Sequence, residues 1–269
     1  MIVAKTWREI RGMVIAYAVI LEVLMVPAIL LWPEIERETR VLARLIPGDF
    51  MKRAFEAMAS TERDGDISAA YSAYMAVQLF FKGVNVVGIA GAVLLGTGLI
   101  ARERENMTFE YLLSRPVSRS RILWSKFWPT ALAIVIPIFL TSWSALPLSR
   151  VPNVDEHLRF EAVTMCCVHS SAFVLFFLAF TTMWSVRLRS QVHVAFVVGG
   201  FTILQVCVFF IQVLRKGSLF RLSDFDVYGP IMAGNVRWSQ MLVDWTIWPL
   251  LGAAICYAIA DRWMRTTDL

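Results

Sequence analysis

The sequence predicts an all-α polytopic membrane protein: six transmembrane helices, an amphipathic N-terminal interfacial helix and an amphipathic helix in the loop between spans 2 and 3. Three observations carry this. Hydrophobic residues make up 58% of the 269 and charged ones only 17%, with a mean hydropathy of +0.61, far from an ordinary soluble domain. Six apolar runs reach the length of about 20 residues that crossing the hydrocarbon core requires. One compact charged stretch, 101–126, separates two of those runs.

The runs are 13–32, 74–100, 127–146, 164–186, 194–214 and 242–260. The second carries polar residues in its first half. The sixth contains Pro249 and Gly252, which a helix in lipid tolerates when neighbours re-satisfy the freed backbone groups. The first run follows a basic start, yet it is longer than a signal-peptide core and no small-residue cleavage pattern follows, so it reads as an anchor. Ahead of it, residues 1–11 place Val3, Trp7 and Ile10 at helical spacing with Lys5, Arg8 and Arg11 mostly elsewhere. That pattern suits a helix lying in the headgroup layer, the alternative being an extension of the first span.

Orientation follows from Lys and Arg beside the span ends. With both termini cytoplasmic, the short inner segments hold half of the 26 basic residues, whereas those of the long outer segment 33–73 are matched by eight acids. Residence in the cell's inner membrane is the expectation. The net charge of +5 is then a topology signal and implies no nucleic-acid partner. Cys166, Cys167, Cys207 and Cys256 all fall in spans without a C-x-x-C pair and read as small buried apolar residues.

The loop 101–126 carries helix signals of its own. Thr108 can cap a short helix whose Phe109, Leu112 and Leu113 share one face, while Glu110 and Arg115 point elsewhere. Pro116 ends it, and Ser118 or Ser120 can cap the next helix, which runs through Lys126 into the third span. A charged, rigid knuckle results. On physical grounds it is either a positive-inside anchor or a docking surface for a cytoplasmic partner.

The residues "ENMTFEYLLSRPVSRSRILWSK" resemble the loop after the second span in permease subunits of ABC-2 type ABC transporters. Thr108, Leu112, Leu113, Ser114, Pro116, Val117, Ser118, Arg119 and Lys126 match that pattern. Met107 stands where the family usually has Gly, and Met does not take positive φ as cheaply. Flanking segments extend the resemblance in the same order: 41–58 is similar to a Leu-Pro helical hairpin, 222–234 to the segment ahead of the last span, and Asp268-Leu269 to the family's terminus.

The resemblance implies a single ABC-2 transmembrane domain over 1–269, pairing with a second permease subunit as homo- or heterodimer, with two ABC ATP-binding subunits docked underneath. The knuckle would be the coupling helix, and 222–238 would form short re-entrant outer helices. No G-x-x-x-x-G-K-[ST] loop is present, so ATP and Mg belong to the partner ATPase and this chain is expected to bind no cofactor of its own. Glu103, Glu105, Arg115, Arg119 and Arg121 are the expected ionic contacts to the ATPase. Thr108 and Pro116 bound the apolar plug of Phe109, Leu112 and Leu113.

Four polar residues within the spans are candidates for a substrate pathway, because a charge in hydrocarbon is costly and marks function by default. Glu22 and Lys82 differ in depth by roughly 13 Å at 1.5 Å per residue, too far for a direct pair. Lys82 is expected to snorkel outward with Gln78 and Asn85 extending its helical face. Glu22 reads either as a pathway group or as a structural hydrogen bond. Gly88, Ala92 and Gly96, spaced by four, suit close helix packing. An intramembrane protease built on His169, Ser170 and Ser171 is disfavoured, since adjacent helical residues do not face each other; a scaffold that recruits an ATPase without transporting is the other alternative. His157 and His193 sit near span ends, where a wet structural role is the default. No motif names the cargo, which is expected to be amphiphilic.

Overall fold

The computed structural model describes residues 2–35, 67–108 and 117–266. Among them are six helices long and apolar enough to cross a membrane and no strand. The first span is α1 (Ile2–Leu30). The second is built from α2 (Ile67–Met75), a π-helical stretch Ala76–Val87 and α3 (Gly88–Thr97), followed by the short α4 (Ala101–Glu105). Spans three to five are α5 (Arg119–Leu148), α6 (Phe160–Arg187) and α7 (Gln191–Phe210). Two 3-10 turns then lead to α8 (Phe225–Ala233), α9 (Trp238–Met241) and, after a π turn, the sixth span α10 (Ile247–Thr266). Six crossings bring Ile2 and Thr266 to one end of the bundle, the terminal end; the described chain after span 2, up to Thr108, lies there too. The short helices before span 6 lie at the opposite, distal end.

The separate headgroup-layer helix expected over 1–11 is not seen. Residues from Ile2 onward run without a break into the first span, because no proline interrupts them and the weakest helix former between them, Gly12, costs only about 1 kcal/mol in a helix. Thr6 and Ile10 are buried against the bundle while Trp7 and Arg8 are exposed. The expected hairpin at 41–58 and the terminal Asp268-Leu269 lie outside the described residues.

The fourth span sits at the centre, being the most buried of the six. Its apolar residues lie all round its circumference, as those of a helix with neighbours on every side must, with buried polar ones such as His169, Ser170 and Ser185 among them. The second span meets it through its small residues. A Cβ on Gly88 would fall 2.6 Å from Val174 Cγ2, and one on Gly96 2.8 Å from Thr181 Cβ; Ala92 between them is fully buried. Small residues spaced by four therefore set the approach of these two helices. Gly252 does the same for the sixth span, where a Cβ would sit 2.8 Å from Phe176 Cδ2. Pro249 leaves α10 intact: a π turn, Leu242–Thr246, precedes it, and the Thr246 hydroxyl donates to the Met241 carbonyl at 3.1 Å. The first, fifth and sixth spans bury little of their surface. That is why Cys207, on the fifth, is exposed, unlike the other three cysteines and contrary to the expectation for it.

Candidate coupling site at the terminal end

The second span stops at Thr97, and the chain bends over Gly98 to Ile100 before α4. A bend inside a membrane helix frees backbone donors and acceptors that must find partners. Two side chains supply them. The Ser185 hydroxyl, from the fourth span, accepts from Ile100 N at 3.1 Å and Ala101 N at 3.0 Å and donates to the Thr97 carbonyl at 3.1 Å. Lys126, from the third, donates to the Leu99 carbonyl at 2.9 Å and lies 2.6 Å from Glu103 Oε1. The bend is thus clamped to two neighbouring spans.

Beyond α4 the chain closes on itself. Met107 N bonds the Arg104 carbonyl at 3.1 Å and Thr108 N the Glu103 carbonyl at 2.9 Å, the paired 5→2 and 6→1 pattern of a Schellman cap. That cap places Met107 at φ 56. The conformation is one that glycine takes freely and Met at a cost, which explains why a Gly at this position would be the easier choice. Thr108, expected to cap a following helix, directs its hydroxyl back to the Glu103 carbonyl at 3.3 Å and so closes the preceding one. Phe109, Leu112, Leu113, Arg115 and Pro116 lie outside the described residues.

Where the chain resumes, Ser118 caps α5, its hydroxyl accepting from Arg121 N at 3.4 Å. Of the two serines the sequence offered, the first is the cap. Arg119 donates to the Met264 carbonyl at 3.4 Å, and Arg265 donates to Ser120 Oγ at 2.8 Å. These two contacts join the start of the third span to the end of the sixth. Glu105 accepts from Gln191 Nε2 at 3.0 Å and Ser190 Oγ at 3.4 Å, at the start of the fifth. So Glu103, Glu105 and Arg119, expected as contacts to a partner, each have a partner within the chain; Arg121 is exposed. The roots of the loop are wired to spans three, four, five and six.

The intramembrane polar residues separate into two groups. Glu22 Oε1 lies 3.0 Å from Ser144 Oγ in the third span. That hydroxyl also lies 2.8 Å from the Thr141 carbonyl, and with a single hydrogen it serves one acceptor at a time. Lys82 is exposed and Gln78 half-buried, whereas Asn85 is fully buried. The shared face expected for Lys82 and Asn85 fails because the π-helical stretch holding them turns more slowly than an α-helix. Asn85 Nδ2 donates to Ser223 Oγ at 2.7 Å and Tyr228 Oη at 2.8 Å. Ser170 Oγ is 2.8 Å from the same Tyr228 hydroxyl. His169 Nε2 donates to the Leu222 carbonyl at 2.6 Å, and its Nδ1 is 3.1 Å from Thr246 Oγ1. His169 and Ser170 thus turn to different partners. Together these residues form a polar knot that binds the distal short helices to spans two, four and six.

Sequence reasoning missed Ser185, Ser190, Gln191, Tyr228 and the Met264 carbonyl. No local signal marks them, since each acts on residues distant in the chain. The fold is a six-span helical bundle, that of a polytopic membrane protein, in which the described roots of the loop after the second span are anchored to the third, fourth, fifth and sixth helices. A family model described as ABC-2 family transporter protein matches residues 3–227, most of the chain, and the chain belongs to that family. It is accordingly a permease subunit of an ABC transporter, a class whose ATPase resides in a separate partner chain. No curated protein matches the sequence.

Proposed function

We propose that this chain forms the transmembrane pathway of an ABC exporter and couples ATP hydrolysis in docked ATP-binding subunits to outward movement of an amphiphilic substrate. Both termini and the loop 101–126 face the cytoplasm of the inner membrane, and a second permease subunit completes the pathway. The observation that carries this reading is the clamp of Ser185 and Lys126 on the bend after span 2. A displacement applied to the loop by a closing ATPase cannot be absorbed by a hinge there and passes to the third and fourth spans. Contacts of Glu105 and Arg119 extend it to the fifth and sixth. Phe109, Leu112 and Leu113 form the apolar plug in the ATPase groove, with Arg115 and Arg121 at its rim. Glu22 and Lys82 are the intramembrane groups assigned to the pathway, Gln78 beside them, while Asn85 holds the distal knot.

The test compares two variants. Leu113→Asp introduces a charge into a desolvated contact, at a cost of several kcal/mol, without touching the spans. Arg121→Glu alters an exposed rim charge, for which about 1 kcal/mol is typical. Both should insert at normal abundance, and Leu113→Asp should lose co-purifying ATPase and ATP-dependent export more completely. If Leu113→Asp retains both, the loop is a topology anchor and the coupling reading fails.

A further inference from the structure

A cavity of about 230 Å³ lies at the terminal end between the first span, the base of the second and the start of the third. Its upper wall is apolar, formed by Ile10, Met13, Leu94 and Leu99. Leu94 is 70% exposed and Met13 41%, so the rim opens onto the apolar outer surface of the bundle. The lower wall is polar and includes Arg102, Glu103, Asn106 and Lys126. Its volume is below the roughly 300 Å³ at which drug-sized sites begin. It suits a headgroup whose chains remain outside.

The charges define that headgroup. Glu103 and Lys126 offset each other, while Arg102 is exposed and makes no ion pair among the described residues, leaving one positive charge with five donors in fork geometry, the arrangement that suits a phosphate. Glu103 is only 8% exposed, and its Oε2 has no hydrogen-bond partner. A buried carboxylate oxygen without a donor is uncommon. We propose that this cavity is a phospholipid-headgroup site: a phosphodiester on Arg102, an N–H or O–H donor of the headgroup on Glu103 Oε2, and acyl chains along Leu94 and Met13. Its place in the cytoplasmic leaflet rests on the orientation proposed above; the binding itself does not. The occupant is either a resident bilayer lipid or a cargo of phospholipid-like chemistry.

The test uses the full chain in detergent micelles, with bound lipid counted by native mass spectrometry. Phosphatidylethanolamine should bind at about one per chain, and Arg102→Gln, a change at an exposed position, should weaken it about tenfold, as loss of a charge-assisted contact does. Met13→Trp, which fills the rim, should also lower binding. Phosphatidylcholine, which lacks a donor, and diacylglycerol, which lacks the phosphate, should bind more weakly to the wild-type chain, and diacylglycerol should be indifferent to Arg102→Gln. Equal binding of phosphatidylcholine or diacylglycerol to the wild-type chain, or of phosphatidylethanolamine to Arg102→Gln as to the wild type, would overturn the site. In proteoliposomes of the complete transporter, ATP-driven movement of labelled phosphatidylethanolamine that is lost in Arg102→Gln identifies a cargo, and binding without movement a resident lipid; either supports the site. Because the micelle measurement needs no ATPase, a failure of the coupling reading leaves it standing.

Discussion

Lys126 Nζ lies 2.6 Å from Glu103 Oε1, with both side chains almost wholly withdrawn from solvent. The pair bridges the third span and the loop that leaves the second, so under the coupling reading it sits where movement of the loop enters the membrane. An ion pair this deep gives little net stability over an apolar pair, but removing one partner leaves a buried charge.

Lys126→Met should therefore destabilise the detergent-solubilised protein by about 3–5 kcal/mol, read as a fall in thermal midpoint. The double variant Lys126→Met with Glu103→Leu should recover most of it. If the double variant is as unstable as the single, the loss comes from the Leu99 carbonyl bond and not from the ion pair.

Ser185→Ala leaves the Ile100 and Ala101 N–H groups without their acceptor. At about 1–3 kcal/mol per orphaned buried group, hydrogen exchange at Ile100 and Ala101 should accelerate strongly while exchange in the distal half of the fourth span stays unchanged. Under the coupling reading, transport per ATP hydrolysed should also fall, because the bend becomes a hinge.

Met107 is 80% exposed and held at positive φ by the Schellman cap. Met107→Gly should stabilise the protein by about 0.5–1 kcal/mol, the left-handed penalty of about 1–2 kcal/mol set against glycine's greater backbone entropy. Met107→Val should destabilise it. Thermal unfolding of the two variants settles the sign.

At the contact of the second and fourth spans, Gly96→Ala places a Cβ 2.8 Å from Thr181 Cβ and should cost about 1–3 kcal/mol as overpacking. Gly91→Ala is the control, since its Cβ would meet Tyr17 at an ordinary 3.4 Å. Similar thermal midpoints for the two would show that these helices can part without penalty.

The orientation is testable in a cysteine-free background. A cysteine at Asn106, exposed at the terminal end, should react with an impermeant thiol reagent only after lysis. One at Asn153, exposed in the distal loop between spans three and four, should react in intact cells. The reverse pattern would invert the topology and remove the coupling reading with it.

The sequence by itself determined the spans, a serine cap at Ser118 or Ser120 ahead of the third, and the small-residue face of the second. Each is written locally: in the length of an apolar run, in a capping hydroxyl ahead of a helical pattern, or in a repeat of four. Only the tertiary structure decided how the loop is rooted, because Ser185 lies 85 residues from Ile100 and Met264 lies 145 from Arg119. It also decided that Lys82 and Asn85 part company, since the wide helical turn between them departs from the α-helical period on which sequence patterns rest. Charges such as Glu103, Glu105 and Arg119 looked free to meet a partner because a sequence records which side chains are ionic and not which groups distant in the chain fold near enough to claim them.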